Sequence, residues 1–66
     1  MIEQFSVKLN DKFIAYGCET LNNALLIVVS TSDDEHIVSM CELDFNRRWQ
    51  LVDAAGNIYL IEKKNV

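Results

Sequence analysis

His36, Cys18 and Cys41 are the side chains on which any transition-metal or thiol chemistry of this 66-residue chain would have to rest. A zinc site needs convergent ligands, and one histidine with two cysteines shares no recognisable ligand spacing here. If residues 36–43 are extended, the odd separation sends Cys41 to the face opposite His36. A reactive thiolate needs a neighbouring base or positive charge. Both cysteines instead fall in a segment, Phe13 to Asn46, that contains no Lys or Arg. Serine chemistry has no Gly-x-Ser-x-Gly elbow to support it. Carboxylates are plentiful, but an acid–base pair requires a cleft to separate and desolvate its members. A chain this short rarely builds one unaided. The expectation is therefore no enzyme, no cofactor and no metal.

Recognition chemistry is better represented. Phe45, Arg47, Arg48 and Trp49 cluster in sequence, and Tyr59, Lys63 and Lys64 follow in the next extended run. Trp, Tyr and Arg dominate the energetics of protein–protein contacts. Aromatics beside arginines also stack on bases and clamp phosphates. The structural alternative is that Trp49 packs into the core while the two arginines face solvent. Phe45, Arg47, Arg48, Trp49 and Tyr59 are the candidates for a protein contact. A second candidate surface is acidic: Asp33, Asp34, Glu35, Glu42 and Asp44 would offer negative charge to a basic partner. A solvated loop that keeps the protein soluble is the plainer reading of that run.

Charge is segregated along the chain. The net value of −4 arises because residues 13–46 hold six acids and no Lys or Arg, while residues 47–66 are mildly basic. Most of the surface thus lacks the cations that displace counterions from nucleic acid, and nucleic acid is a minor expectation. Half of the residues are apolar, whereas a domain of this size buries only about 60% of the surface its unfolded chain exposes. Contiguous apolar surface left outside marks a docking site. The longest apolar run, Ala24 to Val29, is far short of a membrane span. The N-terminus lacks the basic start and apolar stretch of a secretory signal, which predicts a cytoplasmic protein. Two reduced, buried thiols suit that compartment, with one Cys18–Cys41 bridge as the alternative.

The elements that must position these residues are read as follows. Ile2 to Leu9 and Phe13 to Tyr16 form a hairpin about Asn10-Asp11, residues that tolerate a left-handed backbone. Gly17 ends the second strand. His36 to Leu43, Arg48 to Val52 and Ile58 to Ile61 form an antiparallel meander, with Gly56 in its last loop. Thr20 to Thr31 supports two readings. Thr20 as an N-cap, followed by Leu21, Ala24, Leu25 and Val28 at helical spacing, predicts a helix. The β-branched run Leu26 to Thr31 predicts a strand, and Asn22, Asn23 and the acids beyond Ser32 speak against a helix.

The helical reading leads. It gives one α+β domain over residues 1–66: a small antiparallel sheet of about five strands in ββαβββ order with one short helix. A six-stranded all-β meander or small barrel is the alternative. The expected core is Phe5, Val7, Phe13, Ile14, Leu21, Leu25, Val28, Val38, Leu51, Ile58 and Leu60. The expected function is noncatalytic: a small acidic interaction module, an inhibitor or regulator docking on a larger protein and forming a homodimer. Phages and mobile elements supply the analogy for such proteins. The alternative is a minor nucleic-acid binder built on Arg47-Arg48-Trp49.

Overall fold

The computed structural model describes residues 3–32, 36–45 and 47–65. Its elements are β1 (Glu3–Leu9), β2 (Lys12–Cys18), α1 (Leu21–Ser32), β3 (Ile37–Leu43), β4 (Arg48–Asp53) and β5 (Ile58–Asn65). The five strands form one antiparallel sheet in the order β2-β1-β5-β4-β3. This is the small α+β sheet with a ββαβββ order that the sequence predicts. Asp33, Asp34, Glu35 and Asn46 lie outside the described residues, as do Met1, Ile2 and Val66.

The helical reading of the ambiguous segment prevails because of where its apolar residues point. Ala24 and Val28 are fully buried, and the helix packs on β1 and β2. Thr20 caps it as expected, its Oγ1 accepting the Asn23 N–H at 3.1 Å. No glycine ends the helix. Instead the Ser32 hydroxyl donates to the Val29 carbonyl at 2.9 Å and satisfies one of the orphan carbonyls of the last turn. Twelve residues span about 18 Å, close to the width of five strands spaced roughly 4.8 Å apart. A helix of this length can therefore carry the chain from one sheet edge, β2, to the other, β3. Among the described residues no helix is long and apolar enough to cross a membrane.

The core lies on the helix-bearing face of β1, β5 and β4. Phe5 and Val7 meet Ile61, Tyr59, Trp49 and Leu51 there, with Cys18 closing one side. Phe5 and Trp49 form a tilted pair with ring centroids 5.9 Å apart, a favoured aromatic geometry. Four expected core residues are displaced to the surface. In β5 the inward residues are Tyr59 and Ile61, one step out of phase with the expected Ile58 and Leu60; Ile58 is exposed and Leu60 half-buried. In β2 the register shifts twice, so that Ala15 opposes Val7 but Phe13 opposes Lys8. The bulges leave Phe13 and Ile14 exposed; Phe13 stacks on Tyr16 at 4.8 Å and receives the Lys8 ammonium at 4.7 Å. Gly17 does not end the strand but forms part of it, its φ of +65° accommodating the second bulge. Val38 is exposed because it lies on the edge strand β3, where the register shifts between Ile37 and Ser39.

The cap is the cheapest feature to test. Thr20→Ala should lower the unfolding free energy by about 1 kcal/mol, and Thr20→Ser should restore most of it. Urea denaturation followed by far-UV circular dichroism measures both.

Candidate interaction site

The two ends of the sheet are built from different chemistry. At one end the β1–β2 and β4–β5 turns meet. Asn10 and Asp11 adopt left-handed backbones (φ 48° and 71°), as a two-residue hairpin turn requires. Asn10 then locks onto the other turn: its N–H donates to the Ile58 carbonyl at 2.8 Å, its Oδ1 accepts the Ile58 N–H at 3.0 Å, and its Nδ2 donates to Asn57 Oδ1 at 3.1 Å. Beneath this lies Asp53, which is 1% exposed. Asp53 Oδ1 accepts the N–H groups of Ala55 and Asn57 at 3.0 and 2.9 Å. Its Oδ2 accepts Asn57 Nδ2 at 3.1 Å and the Tyr59 hydroxyl at 3.2 Å. Burial by itself pushes the Asp53 carboxyl up, but the backbone and side-chain donors of Asn57, Tyr59 and Ala55 together hold it below its ordinary value. Burial and the facing Asp53 charge push the Tyr59 phenol above its ordinary value. This network is structural, because each Asp53 oxygen takes both its donors from within the fold.

At the opposite end, the β3–β4 hairpin closes on the Leu43–Arg48 pair. Asp44 and Phe45 both carry left-handed backbones in its turn (φ 49° and 51°). Phe45 is 99% exposed. A bulky residue in this conformation is strained, and such strain concentrates where it serves a function. Arg48 pairs with Asp44 across the turn, and Lys63 pairs with Glu3. The Lys63 N–H donates to the Arg47 carbonyl at 2.8 Å and anchors the turn to β5. Phe45, Arg47, Lys63, Lys64 and Asn65 line an open cleft of about 480 Å³.

The sequence-level candidates divide accordingly. Phe45 and Arg47 come together with Lys63 and Lys64 at this end, and Arg48 joins them through its ion pair. Trp49 and Tyr59 do not: they are 6% and 1% exposed and belong to the core. Of the acidic candidates, Glu42 and Asp44 are exposed on β3 and its turn, while Asp33, Asp34 and Glu35 lie outside the described residues. The bulge between Ile37 and Ser39 breaks the alternation that would have carried His36 and Val38 onto the side of Met40 and Glu42. His36 is exposed and uses its carbonyl, not its ring, to accept the Ala54 N–H at 2.8 Å. Both cysteines are free, Cys18 buried as expected and Cys41 exposed, its thiol directed at the Glu42 carbonyl at 3.7 Å. No group of three or more potential metal ligands converges among the described residues. Sequence reading missed the Asp53 network, whose only signal was an Asp at the start and an Asn at the end of a glycine-containing loop. No family model, curated protein or solved structure matches the chain.

Two outcomes follow from this geometry. With a native carboxyl below its unfolded value near 3.8, Asp53 contributes stability that is fully present above that value and lost as pH falls through the native one. Asp53→Asn should therefore flatten the acid limb of a stability–pH profile measured by urea midpoint between pH 2 and 7. Phe45→Gly should stabilise the fold by about 1 kcal/mol, because it relieves a left-handed backbone and removes no buried surface; thermal denaturation tests this.

Proposed function

We propose that the protein is a noncatalytic interaction module, a small acidic inhibitor or regulator that docks on a larger protein and self-associates. The observation that carries the docking is Phe45: a fully exposed aromatic, held in a strained backbone at a hairpin tip anchored to β5. A side chain that contributes nothing to the core, yet occupies an unfavourable conformation, is accounted for by an anchor that inserts into a partner's pocket. Arg47 and Lys64 flank it without ion-pair partners among the described residues, which favours an apolar pocket rimmed by carboxylates. The free, exposed thiol of Cys41 suits a reducing compartment such as the cytoplasm.

The same cleft supports a second reading, binding of a single nucleic-acid strand, since it joins a ring to three cations. Only one ring is on offer, because Trp49 is buried, and Glu3 already neutralises Lys63. That is a weak platform for stacking and counterion release.

Affinity capture with the native chain and with Phe45→Ser as paired baits separates the readings. A stoichiometric protein recovered by the first and lost with the second supports the docking role. Equal recovery by both baits removes it. Salt-sensitive binding of a labelled oligonucleotide, abolished by Arg47→Ala with Lys64→Ala, transfers the cleft to the second reading.

A further inference from the structure

We infer that the free edge of β3 pairs with the β3 edge of a second copy, antiparallel and about a twofold axis through Met40. This deepens the self-association proposed above and specifies its surface. The sheet has two free edges, β2 and β3, and they are not equivalent. The β2 edge is interrupted by two register shifts and a left-handed Gly17, and it begins with Lys12. Bulges and lysines are the devices that blunt an edge against pairing. The β3 edge, Ile-Val-Ser-Met-Cys-Glu-Leu, carries no Lys, Arg or Pro, and its one register shift lies near its start. Val38 and Met40 are 64% and 54% exposed along it.

Hydrogen-bond parity identifies which residue faces outward. The Lys63 N–H to Arg47 carbonyl bond and the Asp53 N–H to Asn57 carbonyl bond fix the odd residues of β4 as those that bond β5. The even residues Arg48, Gln50 and Val52 therefore bond β3, through Leu43, Cys41 and Ser39. Met40, between them, directs its own N–H and C=O out of the sheet. Two Met40 residues can thus exchange both bonds about a twofold axis. In that register all seven residues of β3 overlap their counterparts, Glu42 opposes Val38 of the second copy, and no like charges face each other. An axis through Glu42 would set two carboxylates opposite one another and shorten the ladder. An axis through Cys41 or Ser39 shortens it as well. Pairing β3 with the β2 edge of another copy would be head-to-tail and leave open ends, whereas the β3–β3 pair closes.

The Met40 register also places Ser39 opposite Cys41 of the second copy in a non-hydrogen-bonded pair, where Cα atoms approach to about 4.5 Å, within disulfide range. Ser39→Cys should therefore form a disulfide-linked dimer under mild oxidation, while the native chain remains a noncovalent dimer of two 7.6 kDa copies by sedimentation equilibrium. Met40→Lys should weaken self-association at least about tenfold by setting two ammonium groups at the axis. Tyr16→Lys on the β2 edge should leave it unchanged, with circular dichroism confirming that both variants fold. A native chain that stays monomeric at about 100 μM, or one that cross-links through Cys41 alone, overturns the inference. The Phe45-dependent capture is independent of it, so loss of the dimer and loss of the docking role are read separately.

Discussion

A buried carboxylate that must find donors for both its oxygens is the constraint around which this fold is arranged. Asp53 is 1% exposed, and an isolated anion so placed would be intolerable without compensation. Its four hydrogen bonds come from Ala55 and Asn57 in the loop that follows it and from Tyr59 on the returning strand. Satisfying them sets the length of the β4–β5 loop and the phase of β5, because Tyr59 must face inward to reach Asp53. Once Tyr59 faces inward, Ile61 does also, and Leu60 and Glu62 face the other side. Asn57 then passes the constraint to Asn10, which fastens the β1–β2 turn to the same end of the sheet. One polar residue thereby couples the registers of the three central strands.

The remaining apolar residues are distributed by what that core can accept. With β1, β5 and β4 filling the space beneath the helix, the strands at the margins keep side chains that find no cover. On β2 the bulges turn Phe13 and Tyr16 outward, where the two rings stack and Phe13 receives the Lys8 ammonium on its face. That arrangement is self-contained, since Lys8 also pairs with Glu62 at 3.4 Å. On β3 Val38 and Met40 stay more than half exposed to solvent. The apolar excess that composition announces is therefore real, but it is spread over several places rather than gathered on one face.

How far these features were legible in the sequence depends on the length scale of the interaction. Thr20 and the spacing of Leu21, Ala24 and Val28 are local, and they located the helix. Asn10-Asp11 is local too, and it located the first turn. Phase is not local. Ile58-Tyr59-Leu60-Ile61 is apolar at every position, so alternation cannot say which pair faces inward, and a one-residue slip reverses both faces. The deciding contact, Tyr59 to Asp53, crosses a loop. The bulges in β2 are equally silent, because a strand holding only one glycine gives little sign that an extra residue is being accommodated. Phe45 was identified by residue type and neighbours, whereas its backbone strain and complete exposure emerge only from the folded turn. Trp49 and Tyr59 were drawn to the interaction surface by the same reasoning from type, and the core claims both.

The two proposed surfaces are geometrically compatible, and their combination has a consequence of its own. Phe45 lies at the hairpin tip beyond the end of β3, while the pairing axis passes through the middle of that strand. An antiparallel pair about Met40 therefore directs the two Phe45 tips to opposite margins of a continuous ten-stranded sheet. Seven residues of strand extend about 23 Å, so the tips stand at least that order of distance apart. A dimer built this way presents two identical anchors that cannot enter the same pocket, and it would engage two copies of a partner or two equivalent sites on one assembly. Such spacing converts a modest single contact into avidity when the target sites match it. A small module with one aromatic anchor per copy gains most from this arrangement, since a single side chain in a pocket rarely sustains tight binding alone.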